Sequence, residues 1–185
     1  MKMPDMDILN QMIKDSAKQH LSEHRSNMKV ELAEPLHAGS TAIVYGLPNN
    51  AVVIRADAFT SPDAVFVGSH GECKRADYVM VSSTNGKKVI VYIEMKAKKG
   101  QPAEIIKQLK GAQCFMAYCR EIGKTFWNEP SFLKNYEHRF VSISHTSIPK
   151  KKTRMTRETG KHDKPDKMLK IDWPHYLQFN HLAGS

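Results

Sequence analysis

The stretch "ADYVMVSSTNGKKVIVYIEMK", Ala76 to Lys96, restricts the fold of this chain more than any other. Asn85-Gly86 is the strongest short signal for a two-residue hairpin turn, because both residues accept the positive φ of a type I′ turn. Counting outward from that turn sets the register. Thr84 faces Lys87, Ser82 faces Val89, Met80 faces Val91 and Tyr78 faces Ile93, which brings Asp77 opposite Glu94. Opposed residues share a sheet face and lie about 4.5–5.5 Å apart at Cβ. Lys96 follows Glu94 by two residues, so it shares that face as well. Two carboxylates and one ammonium therefore converge at a sheet end. The strand leading to them, "VIVYI", is continuously apolar, as in a strand covered on both faces.

Facing carboxylates repel each other. A neighbouring lysine lessens the repulsion, and a hard divalent cation neutralises the pair more fully. Mg2+ takes one or two carboxylates together with waters and substrate phosphate. A lysine beside such an ion can hold the attacking water and stabilise phosphate charge. Asp77, Glu94 and Lys96 thus read as machinery for phosphodiester hydrolysis. Glu-x-Lys alone is a weak signal, since Glu72-Cys73-Lys74 repeats it in a polar loop. Its weight comes from the apolar strand before it, the aspartate across from it and the helix after it. The plainer alternative is a salt-bridge cluster of the same three residues.

The segment "MDILNQMIKDSAKQHLSEHR" repeats apolar residues at helical spacing, from Ile8 and Leu9 to Leu21 and His24. Glu23 falls inside the arc of that apolar face, where a carboxylate needs a partner. The runs "TAIVYG", "NAVVIRADAF" and "DAVFVGS" read as short strands between turn residues. "KKGQPAEIIKQLKGAQCFMAYCREIG" is a second helix. Pro102 suits its first turn, Gly123 its C-terminal stop, and Ile105, Ile106, Leu109, Ala112, Met116 and Cys119 its core stripe. "HRFVSISH" is a further strand, with Phe140, Ser142 and Ser144 alternating against Val141 and Ile143. "MLKIDWPHYLQFNHL" closes the chain with a short strand or two. The order helix, strands, hairpin, helix, strand indicates a single α/β or α+β domain over residues 1–185 with a mixed sheet. Its core covers about 5–145, with a basic loop at 149–170 and a C-terminal strand segment at 168–182.

The formal net charge is +9. Between Lys150 and Lys170 nine Lys and Arg residues (150, 151, 152, 154, 157, 161, 164, 167 and 170) stand against Glu158, Asp163 and Asp166, a net of +6. That is the electrostatic footprint of a polyanion partner, although a solvated loop has the same composition. No apolar run reaches the roughly 18 residues of a membrane span. "MKMPDMDILNQM" has neither the apolar stretch nor the cleavage site of a signal peptide. Three cysteines, Cys73, Cys114 and Cys119, are too few for a disulfide framework. A cytoplasmic setting and no membrane are expected. His70 and Cys73 lack the further paired ligands of a zinc site.

The residues "CKRADYVMV" and "VIVYIEMKAKK" resemble the core of the PD-(D/E)XK nuclease superfamily. The resemblance covers roughly Cys73 to Cys119 and implies a restriction-endonuclease-like αβββαβ core, its central mixed sheet flanked by helices. It implies Asp77, Glu94 and the main-chain carbonyl of Met95 as ligands of Mg2+ or Mn2+, with Lys96 serving the water. It implies a further acidic ligand near the first helix, Glu23 or else Glu31, and an assisting glutamine, Gln108 or else Gln113. Ala76 stands where the family's motif has proline. The implied activity is metal-dependent endonucleolytic cleavage of DNA, in phage defence or DNA processing. A ribonuclease and a non-catalytic binding or assembly module are the alternatives. Lys98, Lys99, Lys150, Lys151, Lys152, Arg154 and Arg157 are expected to hold the nucleic-acid backbone. A homodimer or a protein partner is left open.

Overall fold

The computed structural model describes residues 3–34, 37, 39–84, 86–146, 161–174 and 176–184. The elements run α1 (Asp5–Met12), β1 (Ser22–His24), β2 (Asn27–Ala33), β3 (Thr41–Leu47), β4 (Val52–Arg55), β5 (Tyr78–Ser83), β6 (Lys88–Lys96), α2 (Pro102–Phe126), β7 (Glu137–Ser144), β8 (Leu169–Asp172), β9 (Leu177–Gln178) and α3 (Phe179–Leu182). The fold is mixed α+β, built on two mixed sheets. One sheet has the order β4-β5-β6-β7-β8, the other β1-β2-β3-β9. In the first, β4, β5 and β6 pair antiparallel, while β6, β7 and β8 pair parallel. No helix among the described residues is long and apolar enough to cross a membrane.

The hairpin has the expected register: Tyr78 pairs with Ile93, Met80 with Val91 and Ser82 with Val89. Thr84 and Lys87 exchange backbone hydrogen bonds of 2.9 and 3.3 Å across the turn. Asn85 itself lies outside the described residues. Strand β6 is buried from Val89 to Met95 because each of its faces is covered. Val79, Val81, Ile90, Tyr92 and Phe140 pack beneath α1 and α2 with Ile8, Leu9, Ile105 and Leu109. Tyr78, Met80, Val91, Ile93, Val141 and Ile143 point the other way, toward Val30, Leu32 and Val44 of the second sheet. The first sheet thus has helices on one face and the second sheet on the other.

The first helix is shorter than its periodicity suggests. It ends at Met12, Ile13 is already extended, and Asp15–Ala17 form a 3-10 turn. Asp and Ser compete locally for backbone hydrogen bonds, and β-branched Ile13 gives helix little support. The chain then pairs with β4: Lys18 bridges Ile54, and the Gln19 N–H donates to the Val53 carbonyl at 2.8 Å. Tertiary pairing overrides local propensity here. Gly123 is likewise interior to α2, not its stop. A Cβ there would stand 2.1 Å from the Phe132 ring, so glycine is required by packing. "DAVFVGS" forms no strand. Its first two residues end the 3-10 turn Pro62–Ala64, and Val65, Phe66 and Val67 are exposed.

Candidate active site

Asp77 stands one residue before β5, and continuing the hairpin register by one step sets it opposite Glu94. Its backbone carbonyl accepts the Ala56 N–H at 2.8 Å, and its Oδ2 accepts the Met95 N–H at 2.7 Å. Asp77 therefore ties the ends of β4 and β6 together. Glu94 is 0% exposed, and Lys96 Nζ stands 2.6 Å from its Oε1. Apart from that ion pair and the nearby Asp77 N–H, no donor serves Glu94 among the described residues, and neither oxygen has a well-formed hydrogen bond. Buried carboxylate oxygens without donors are rare in folded proteins and call for a partner.

The electrostatics follow from burial. Desolvation pushes the Asp77 carboxyl up to about 6, against the lowering effect of the Met95 N–H and the Lys96 charge. Desolvation and then the Asp77 charge push Glu94 up to about 8, with Lys96 offsetting part of the rise. Burial works to lower Lys96, but the Glu94, Asp77 and Glu34 charges outweigh it, so the ammonium is held above its ordinary range. Without a further cation the two carboxylates share too little positive charge to be ionised together near neutral pH.

Two acidic residues not foreseen from the sequence add to this field. Glu34 and Asp57 both raise Asp77 by their charge. Glu34 is fixed by Tyr78, whose hydroxyl accepts the Ala33 N–H at 3.1 Å and donates to the Ala33 carbonyl at 2.6 Å. Glu34 Oε2 is buried without a hydrogen-bond partner among the described residues, and His37 Nε2 stands 3.7 Å from its Oε1. A sequence signal existed. Val30 and Leu32 are buried on alternate positions of β2, and the same period carries inward to Glu34. Asp57 follows β4 in a 3-10 turn and stands 3.7 Å from Arg55 Nε.

The other expected residues divide. Met95 buries its side chain between the sheets, so its backbone carbonyl is what it can offer the site. Glu23 is exposed on β1 of the second sheet, and Glu31 is exposed on β2. Neither joins Asp77 and Glu94: the helix assumed for Glu23 has already ended at Met12, and Glu31 alternates outward between the buried Val30 and Leu32 of β2. Gln108 is half-buried on α2 and makes no hydrogen bond to Asp77, Glu94 or Lys96. Gln113 lines a separate pocket with Ile90, Arg120 and His138. Lys98 and Lys99 are exposed just beyond β6. Lys150, Lys151, Lys152, Arg154 and Arg157 lie outside the described residues.

Among the described residues no three His, Cys, Asp or Glu side chains converge as a ready-made metal cage. Mg2+ needs less, since it keeps several waters and binds through one or two carboxylates plus substrate oxygens. The donor-poor oxygens of Glu94, the facing Asp77 and the hard-oxygen chemistry of both fit such an ion. A groove of about 360 Å3, lined by Asn10, Lys18, His20 and Val52, contains none of these groups. No family model, no curated protein and no solved structure matches the chain.

Proposed function

We propose that the protein is a Mg2+- or Mn2+-dependent nuclease that hydrolyses phosphodiester bonds in DNA, with Asp77, Glu94 and Lys96 as its reacting centre. One observation carries this reading: a fully buried glutamate, short of hydrogen-bond donors, faces a second carboxylate and touches a lysine at a sheet end. Asp77, Glu94 and the Met95 carbonyl would hold the divalent ion, which supplies charge neutralisation of the phosphate and acidifies a bound water. With β1, β2 and β3 set aside in the second sheet, α1, β4, β5, β6, α2 and β7 follow the αβββαβ order that the resemblance implies, which supports the same reading.

The chain's own groups have definable tasks. Glu94 orients the Lys96 ammonium through the 2.6 Å ion pair. Lys96, half-buried and fully charged, donates hydrogen bonds to the attacking water or to a non-bridging phosphate oxygen, where negative charge grows in the transition state. Asp77 is held rigid by Met95 and Ala56, so its free oxygen is already aimed before substrate arrives. Water oxygen bonds to phosphorus, the P–O bond to the leaving sugar breaks, and the water's proton is passed on to leave a phosphate monoester and a hydroxyl. Glu34 contributes negative field that strengthens cation binding.

The test is cleavage of a mixed panel of single-stranded DNA, duplex DNA and RNA with Mg2+ or Mn2+. Wild type is expected to cut DNA, and Lys96→Ala and Asp77→Ala each to lose at least about a hundredfold in rate. Cleavage that survives both substitutions would refute the assignment. Cleavage of RNA alone would replace DNA as the substrate.

A further inference from the structure

One face of the first sheet carries a polar row across its strands. Asp77 faces Glu94, Glu94 lies beside Ser142, and Ser142 beside Lys170. The next row runs Lys96, Ser144, Asp172. Next to Glu94 and Lys96, one strand spacing or about 4.8 Å away, the surface sinks into a pocket of about 110 Å3. Its walls include Ser142, Ser144, Lys99, Lys170 and Asp172, with Gly100 and Pro102 at the N-terminal end of α2.

Ser142 and Ser144 are only 3% and 8% exposed, yet neither hydroxyl hydrogen-bonds to a described residue. Neither oxygen is among the fully buried side-chain atoms that lack a partner, so both hydroxyls reach open space, where water or a ligand answers them. These two open into the pocket. Lys99 and Lys170, both exposed, form no ion pair with a described residue. The 25-residue α2 adds the partial positive charge of its N-terminus. Asp172 opposes an anion, but two ammonium groups and two hydroxyl donors outweigh one exposed carboxylate. The volume selects the ligand further. Pockets for whole small molecules run to about 300–1,000 Å3, so this one takes a group and not a nucleotide.

We propose that this pocket seats a phosphate group of the nucleic-acid strand, next to the phosphate that is cut at Lys96. The inference rests on the nuclease reading for the strand's identity, while the pocket's preference for phosphate stands on its own residues. The hydroxyls of Ser142 and Ser144 donate to its oxygens, and Lys99 and Lys170 neutralise it from the rim. A strand held there has its neighbouring phosphate delivered to Asp77, Glu94 and Lys96. The occupant is either an internal phosphodiester or a terminal phosphate monoester.

The experiment titrates inorganic phosphate into the full chain by calorimetry, in EDTA so that neither metal nor cleavage contributes. Wild type is expected to bind phosphate, and Ser142→Ala/Ser144→Ala to bind it about tenfold more weakly or worse. The exposed substitutions read opposite signs: Lys170→Gln weakens phosphate and Asp172→Asn tightens it. Circular dichroism checks that each variant is folded. Equal phosphate affinity in wild type and the double serine variant overturns the pocket, as does an Asp172→Asn variant that fails to tighten. Cleavage assays then compare 5′-phosphorylated and 5′-hydroxyl oligonucleotides. A lower KM for the phosphorylated strand that vanishes without the serines assigns the terminal phosphate. Equal KM values, both raised in the serine variant, assign the internal one. Phosphate binding that depends on the serines, in a protein that cuts nothing, removes the nuclease reading and leaves the pocket. Cutting lost in Lys96→Ala, with phosphate affinity and KM untouched by the serine change, removes the pocket and leaves the nuclease.

Discussion

Ionising Glu94 is opposed twice, by lost hydration and by the Asp77 charge, and is helped chiefly by Lys96. Its folded proton affinity exceeds that of the unfolded chain, as does that of Asp77. Both groups therefore favour the folded state most below the ordinary carboxylate range, and that contribution is lost as pH rises through about 6 for Asp77 and about 8 for Glu94. Glu94→Gln removes the larger part. In metal-free buffer the variant should match wild type near pH 4.5 and become progressively more stable than it up to pH 9, measured by urea denaturation. A gap that stays constant across pH would mean that Glu94 is not buried in its charged form. Asp77, Glu94 and Lys96 were legible in the sequence because a two-residue turn propagates register over a few residues. Glu34 was not, because it arrives through a contact between Tyr78 and Ala33, 45 residues apart. Glu23 was misassigned for the converse reason: apolar spacing continued past the point where the backbone leaves the helix.

At the scale of elements, α2 helps set the position of Asp77. Gly111 lets the helix approach the segment before β5 so closely that a Cβ would stand 1.7 Å from the Lys74 carbonyl oxygen. A backbone atom cannot swing aside as a side chain can. Gly111→Ala should cost about 1–3 kcal/mol, read as a drop of several degrees in Tm. It should also lower activity more than its stability loss explains, since the displaced segment leads into Asp77. Unchanged Tm and activity would contradict this role. The hairpin, α2 and β7 could be read from sequence because each carries strong local signals: Asn-Gly, a proline start with an apolar stripe, and a period-two alternation. The second sheet could be read only in part: "TAIVYG" is β3, but β1 and β9 have three and two residues, and β9 joins β3 from more than 120 residues away in sequence. The apolar run Val65 to Val67 shows the limit of such reading, since hydrophobicity without alternation or a pairing partner left it as an exposed loop.

For the whole molecule the charge distribution is uneven. The chain carries +9 overall, most of it between Lys150 and Lys170, while Glu34, Asp57, Asp77 and Glu94 gather around one lysine. On the proposed function, the basic segment would attract the strand and the carboxylate cluster the cation that the strand needs. If the basic segment neutralises about three to six phosphates, log K for duplex DNA should fall against log salt with a slope of about −3 to −5. Replacing Lys150, Lys151, Lys152, Arg154 and Arg157 by glutamine should flatten that slope in a fluorescence anisotropy titration. A slope near zero in wild type would remove the segment from the interface. The measurement that tests the central claim most directly is Mn2+ binding by calorimetry at pH 7, repeated in two buffers of different ionisation enthalpy. Because Glu94 is held up to about 8, ion binding should release about one proton, and Glu94→Gln and Asp77→Asn should each lose the site. No binding in wild type, or binding that both variants retain unchanged, would contradict a cation held by the buried carboxylate pair.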